Sequence, residues 1–209
     1  MSNSGTQTPA FPPGVDWSFI AAREGAMLKG YVPRVGNSGV PDANSGVTIA
    51  VGFDLGGRTP ASLQALGLDE TLVELFTPYL GLKGQAAQDC LNVQPLVITQ
   101  AQMDEIDALV FTAYYNKVCA VYNAASNGVV FQTLAQGAQT AIVSVAYQYG
   151  TNLAKATPGF WKQITTCQWQ AAYDNLMNFG DDFGPRRRLE AAQLLIAINS
   201  GTLPGPAVS

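Results

Sequence analysis

The sequence predicts an α+β fold with a small β-sheet lobe, a larger mainly helical lobe and a cleft between them. Three observations carry this. Helical spacing near the N-terminus gives way, over residues 31–57, to a stretch rich in Gly, Pro, Asn and Val that contains strand alternation. Beyond it the apolar spacing is helical almost to the end, punctuated by caps and glycine stops. With 209 residues, 47% of them hydrophobic, the chain is long enough to bury a core without staples.

Residues 1–13, rich in Ser, Thr, Gly and Pro, are expected to be a flexible leader, and 14–203 a single domain. Asp16 offers an N-cap for a helix from Trp17 to Lys29, with Gly30 as its stop. Val47, Ile49, Val51 and Phe53 alternate with Thr48, Ala50, Gly52 and Asp54, which is strand period, and a long loop over 36–45 precedes them. The β lobe is placed at about 31–57 and the helical lobe at about 58–203. Short helices are expected over 69–80 and 84–91. Thr99 with Gln102 forms a capping box for a long helix to about Asn123. A nearly apolar helix from Gln136 to Tyr149 closes on Gly150. Helices over Pro158–Thr166 and Gln168–Phe179 follow, and Pro185 opens the last, which runs to about Asn199.

Composition excludes several chemistries. There is no histidine, so a His-based triad and a His-ligated zinc site are out of reach. The net charge of −4 offers no basic face for nucleic acid, and any attraction to an anionic polymer must come from a local patch. Cys90, Cys119 and Cys167 form no CxxC; core thiols are expected, with one disulfide plus a free thiol as the alternative. Residues 118–154 carry no charge, yet Gln, Asn, Ser and Gly interrupt every apolar run, so a buried helix and no stable membrane insertion are expected. The start, Met1 to Gly5, is unlike a classical signal peptide, which points to synthesis in the cytoplasm without one.

Among residues that carry chemistry, Glu24 stands near the end of the first helix, where the dipole disfavours an ionised carboxyl, a setting suited to a general acid. A surface glutamate beside Arg23 is the plainer alternative. Thr48 and Asp54 share one strand face, but a straight strand would hold them roughly 20 Å apart at about 3.3 Å per residue. They can serve one site only if the chain bends at Gly52 or turns back as a hairpin. Arg186, Arg187 and Arg188 crowd the first turn of the last helix against its dipole, so a carboxylate partner is expected.

Glu24-Gly25 with Leu28 and Tyr31, followed by Thr48-Ile49 and Gly52, resembles the active-site region of the phage-type lysozymes. Ser45 to Ile49 with Gly52-Phe53-Asp54-Leu55-Gly56 is similar to the pesticin-like muramidase branch of that superfamily. Residues 141–150 resemble the family's central helix, and 184–195, with the arginines and Glu190, its last helical motif. The resemblance spans roughly residues 17–197. It implies a lysozyme-like fold and a peptidoglycan hydrolase that cleaves the β-1,4 bond between N-acetylmuramic acid and N-acetylglucosamine.

By this resemblance Glu24 is the acid and Thr48 the threonine of the site. The aspartate has two candidates. Asp42 precedes Thr48 by the spacing of the ordinary phage enzymes, whereas Asp54 occupies the segment that supplies it in the pesticin-like branch and is preferred. Tyr31, Tyr147, Gln148 and Arg187 are candidate substrate contacts, and one arginine of the run is expected to pair with Glu24 or line the cleft. An inverting reaction is implied, with carboxyls about 6.5–9.5 Å apart and no need of a metal or organic cofactor. The alternatives are a lytic transglycosylase and a non-catalytic wall-binding protein on a degenerate lysozyme fold. A phage endolysin, released by a holin, and an exported effector, with a secretion machine and an immunity or inhibitor protein, both fit a wall-acting enzyme whose place of action is the periplasm of a host or target cell.

Overall fold

A computed structural model describes residues 10–25, 27–36 and 38–206; the rest of the expected leader, 1–9, lies outside the described residues. The described residues divide into two compact units, 10–11 with Ala21–Ala113, and Pro12–Ile20 with 114–206.

Helix α1 is Trp17–Glu24. Asp16 caps it, its Oδ1 accepting the Phe19 amide at 3.0 Å. The helix ends five residues earlier than Lys29, because Gly25 turns into the left-handed region at φ 71°. Residues 27–31 then find sheet partners instead. They form β1, Met27–Tyr31, followed by β2, Thr48–Ala50, and β3, Phe53–Asp54, in an antiparallel sheet of order β1-β2-β3. The alternation over 47–54 is therefore two strands of a hairpin rather than one long strand. Its turn uses Ala50 at φ 53° and Gly52 at φ 76°. On its other edge β1 meets residues 96–98, through Gly30 N–H to the Leu96 carbonyl and Ile98 N–H to the Leu28 carbonyl, both at 2.9 Å.

Four helices complete this unit, joined by a 3-10 turn at Thr77–Tyr79. They are α2, Pro60–Leu66; α3, Glu70–Phe76; α4, Gly84–Val93; and the first part of α5, Gln100–Ala125. The sheet's inner face, Val47, Ile49 and Phe53, joins Leu63, Leu72 and Phe76 in one buried core. Capping chemistry sets the helix starts: Thr59 and Ser62 exchange bonds at α2, and Thr99 and Gln102 do so at α5.

The second unit centres on α6, Gln136–Tyr149, buried continuously from Gly137 to Ala146. Around it come α7, Leu153–Ala156; α8, Pro158–Thr165; α9, Trp169–Met177; and α10, Gly184–Asn199, which packs on both α6 and α9. Gly137 permits that packing, since a Cβ there would overlap the Gln193 carbonyl of α10. The three cysteines are free thiols, Cys119 and Cys167 buried and Cys90 half-buried. Among the described residues no helix is long and apolar enough to cross a membrane, and no group of His, Cys, Asp or Glu is clustered to hold a metal.

Candidate active site

Hairpin register brings two of the candidates together. Thr48 on β2 lies opposite Tyr31 on β1 and opposite Asp54 on β3. Directly opposed residues of an antiparallel sheet project to the same face with Cβ atoms about 5 Å apart. Tyr31, Thr48 and Asp54 thus form one cross-strand row, in place of the ~20 Å separation of a straight strand.

Asp54 is held by its own backbone neighbourhood. Its Oδ1 accepts the Gly56 amide at 2.6 Å and the Gly46 amide at 3.1 Å, while Oδ2 has a 3.3 Å contact with the same Gly46 amide. Glycine is required at both positions, because the two backbones touch: a Cβ on Gly46 would overlap Gly56 and meet Asp54 Oδ1 at 2.8 Å. Thr48 is 4% exposed, and its hydroxyl donates to the Gly46 carbonyl at 3.3 Å. A hydroxyl that donates keeps its lone pairs for another donor. Burial, reinforced by the charge of Asp54, raises the Tyr31 phenol above its ordinary value, so it remains a donor through neutral pH.

Asp42 is occupied differently. One carboxylate oxygen accepts the Asn44 amide at 3.1 Å and the other the Ser45 hydroxyl at 2.9 Å, a turn-forming arrangement inside its own loop. Those bonds, the Asn44 amide first, hold its carboxyl below the usual range. Glu24 is the last residue of α1, half-buried, and three residues before β1 opens.

Two residues of this unit escaped the sequence reading. Arg58 donates from Nε to the Asp54 backbone carbonyl at 2.9 Å, and its guanidinium carbon stands 4.0 Å above the Phe53 ring. Asp107 on α5 is 6% exposed and accepts the Val51 amide of the hairpin turn at 3.2 Å. Burial raises the Asp107 carboxyl to about 6; the Val51 bond opposes the shift and the charge of Asp104 adds to it. Only the tertiary placement of Asp107 on the hairpin could have revealed it.

A folded-state value above the ordinary one favours the protonated form. The stabilisation is complete below the unfolded carboxyl value and is lost as pH rises through about 6. Asp107→Asn keeps an oxygen for the Val51 amide and removes the titration. Measured from pH 4 to pH 7, the wild type is expected to lose on the order of 5 °C in Tm relative to this variant. A difference that stays constant with pH would show that Asp107 does not titrate in that window.

The other candidates lie in the second unit. Tyr147 packs on Tyr114 with ring centres 5.0 Å apart and ring planes tilted by 55°. Arg187, expected as a substrate contact, is 1% exposed, and its guanidinium is engaged on all sides. It pairs with Asp181 at 2.8 Å and with Glu190, donates to the Gln148 side-chain oxygen, and lies against the Tyr149 and Phe179 rings. A guanidinium so enclosed has no face for a sugar, and Gln148 has its oxygen occupied. Asp181 and Glu190 are carboxylate partners of the kind expected for the arginine run. Fully buried Glu190 also takes the Ser144 hydroxyl at 2.6 Å and Arg186 at 3.2 Å. Burial alone would raise the Asp181 carboxyl, but bonds from Tyr149, Arg187 and the Phe183 amide hold it below the usual range. Removing one partner of such a buried pair typically costs about 3–5 kcal/mol, because it strands the other charge.

No curated protein matches this chain. A family described as "Pesticin: Bacterial toxin homologue of phage lysozyme, C-term" matches it over residues 14–170, which takes in the first helix, the whole sheet, α6 and the start of α9. With its three-stranded sheet followed by helices to the end, the chain belongs to this pesticin family of phage-lysozyme homologues.

Proposed function

We propose that the chain is a muramidase, hydrolysing the β-1,4 bond between N-acetylmuramic acid and N-acetylglucosamine in peptidoglycan. Family membership supports a muramidase-type peptidoglycan hydrolase in general. The observation that carries the residue assignment is the row of Tyr31, Thr48 and Asp54 across the sheet.

In the proposed reaction Glu24 gives its proton to the glycosidic oxygen as the bond to the muramic C1 breaks. A water bound by Asp54 and Thr48 attacks C1 from the opposite side and forms the new C–O bond. Asp54 takes the water's proton and later releases it to solvent, which returns one to Glu24. Oδ1 of Asp54 is fixed by two amides, which leaves Oδ2 the freer acceptor for that water. The Thr48 hydroxyl can accept from the same water while donating to Gly46. Inversion is the outcome of a carboxylate that positions water rather than attacking directly. Tyr31 is a donor to the sugar beside Asp54.

The family's description as a toxin homologue favours an antibacterial toxin over a phage endolysin. Such a toxin acts on the wall of a target bacterium and needs an inhibitor in the cell that makes it. Clearing of purified sacculi tests the activity: turbidity falls with release of soluble glycan, whereas binding without clearing would identify a wall-binding protein. Thr48→Ala is expected to lower kcat about tenfold or more with KM nearly unchanged, because its hydroxyl orients water. A raised KM at constant kcat would instead make Thr48 a sugar contact.

A further inference from the structure

Arg58 follows the Asp54 strand end and is half-buried. Two contacts fix its plane, the Nε bond to the Asp54 carbonyl and the Phe53 ring, itself 2% exposed, beneath the guanidinium. Nη1 and Nη2 hold no hydrogen bond among the described residues, and no carboxylate there lies within ion-pairing distance. Partial burial lowers its pKa, and the charge of Asp54 only partly opposes this, so the cation is desolvated without a full counter-ion. Neighbouring Gly57 is exposed, with open space where a side chain would stand. An arginine fork held rigid on one edge and unused on the other is suited to bidentate recognition of a planar anion.

The chain carries a net charge of −4, and Asp54 adds a local negative charge where a substrate must approach. A carboxylate-bearing glycan therefore meets repulsion at the strand end unless a cation offsets it. Resting on the muramidase reading, we infer that Arg58 is an anion-recognition residue beside Asp54, binding a carboxylate of the muramyl glycan. That group sits on every second sugar of the wall polymer, as the lactyl acid of a bare muramic residue or within its stem peptide. A neutral N-acetylglucosamine polymer has none, so Arg58 is a specificity determinant of the site.

Binding carries the test, so it does not depend on turnover, and clearing of sacculi by the wild type reports separately on the muramidase reading. Wild type, Arg58→Gln and Arg58→Lys are titrated with three probes: muramyl glycan oligomers stripped of stems, the same oligomers with stems, and neutral N-acetylglucosamine tetramer. Arg58→Gln is expected to weaken a carboxylate-bearing probe about tenfold and the neutral tetramer less than twofold. Arg58→Lys, which keeps the charge but lacks the fork, should fall between. Loss on stripped oligomers assigns the lactyl carboxylate, and loss only on stem-bearing ones assigns the peptide. Equal loss on all three probes, unchanged binding, or no binding by the wild type would each overturn the inference.

Discussion

Glu24→Gln is expected to stop the clearing of sacculi while the protein remains folded. The exchange is nearly isosteric and sits at the last residue of α1, where Gly25 has already turned the chain toward β1. A positioned general acid contributes about a hundredfold to ten-thousandfold. Turnover should therefore fall by at least about a hundredfold, with Tm within about 2 °C of the wild type. A Gln variant that clears at the wild-type rate would remove Glu24 from the reaction.

Asp54→Asn carries the second large effect. Asparagine keeps an oxygen for the Gly46 and Gly56 amides, so the tight approach of those two backbones survives. It loses the negative charge that accepts the water's proton, and activity should drop by roughly a thousandfold. Asp42→Asn is expected to cost about tenfold or less, because the Asp42 carboxylate serves the Asn44 amide and the Ser45 hydroxyl of its own turn. Kinetics of the two variants on one purified glycan decide between them. A dead Asp42→Asn beside a live Asp54→Asn would place the chain on the ordinary phage-lysozyme plan with an enlarged loop.

Elements with strong local punctuation were legible in the sequence. α6 runs from Gln136 to Tyr149 as its apolar spacing and Gly150 indicate, and α5 starts at the Thr99–Gln102 box. α2 has the same kind of box at its start, but with Ser62 in place of the usual Glu or Gln, and so it escaped notice. The hairpin is one of two possibilities in the sequence, because alternation over 47–54 fits one strand as well as two. Its turn places Ala50, a residue with no preference for positive φ, at φ 53°. Such a conformation persists only where tertiary contacts impose it, and the buried Asp107–Val51 bond is one of them.

The candidate site divides along the same line. Residue type and position made Glu24, Thr48 and Asp54 candidates and the family resemblance gave them roles, but whether Thr48 and Asp54 meet depended on a fold-back that strand pairing supplies. Counter-ions for the arginine run were foreseeable in kind, yet which arginine is buried depends on the packing of α10 against α6. Asp107 acts on the hairpin turn from far along the chain, and Arg58 on Phe53 and Asp54 through the turn that folds it back over them, so residue type alone marks neither.

The most direct measurement of the central claim is the mass and chemical form of the products released from purified peptidoglycan. Hydrolysis at the muramic C1 adds one water and leaves a reducing N-acetylmuramic acid end, formed first as the inverted anomer. Products with a reducing N-acetylglucosamine end, with a 1,6-anhydro muramic end one water lighter, or no released glycan at all, would contradict it.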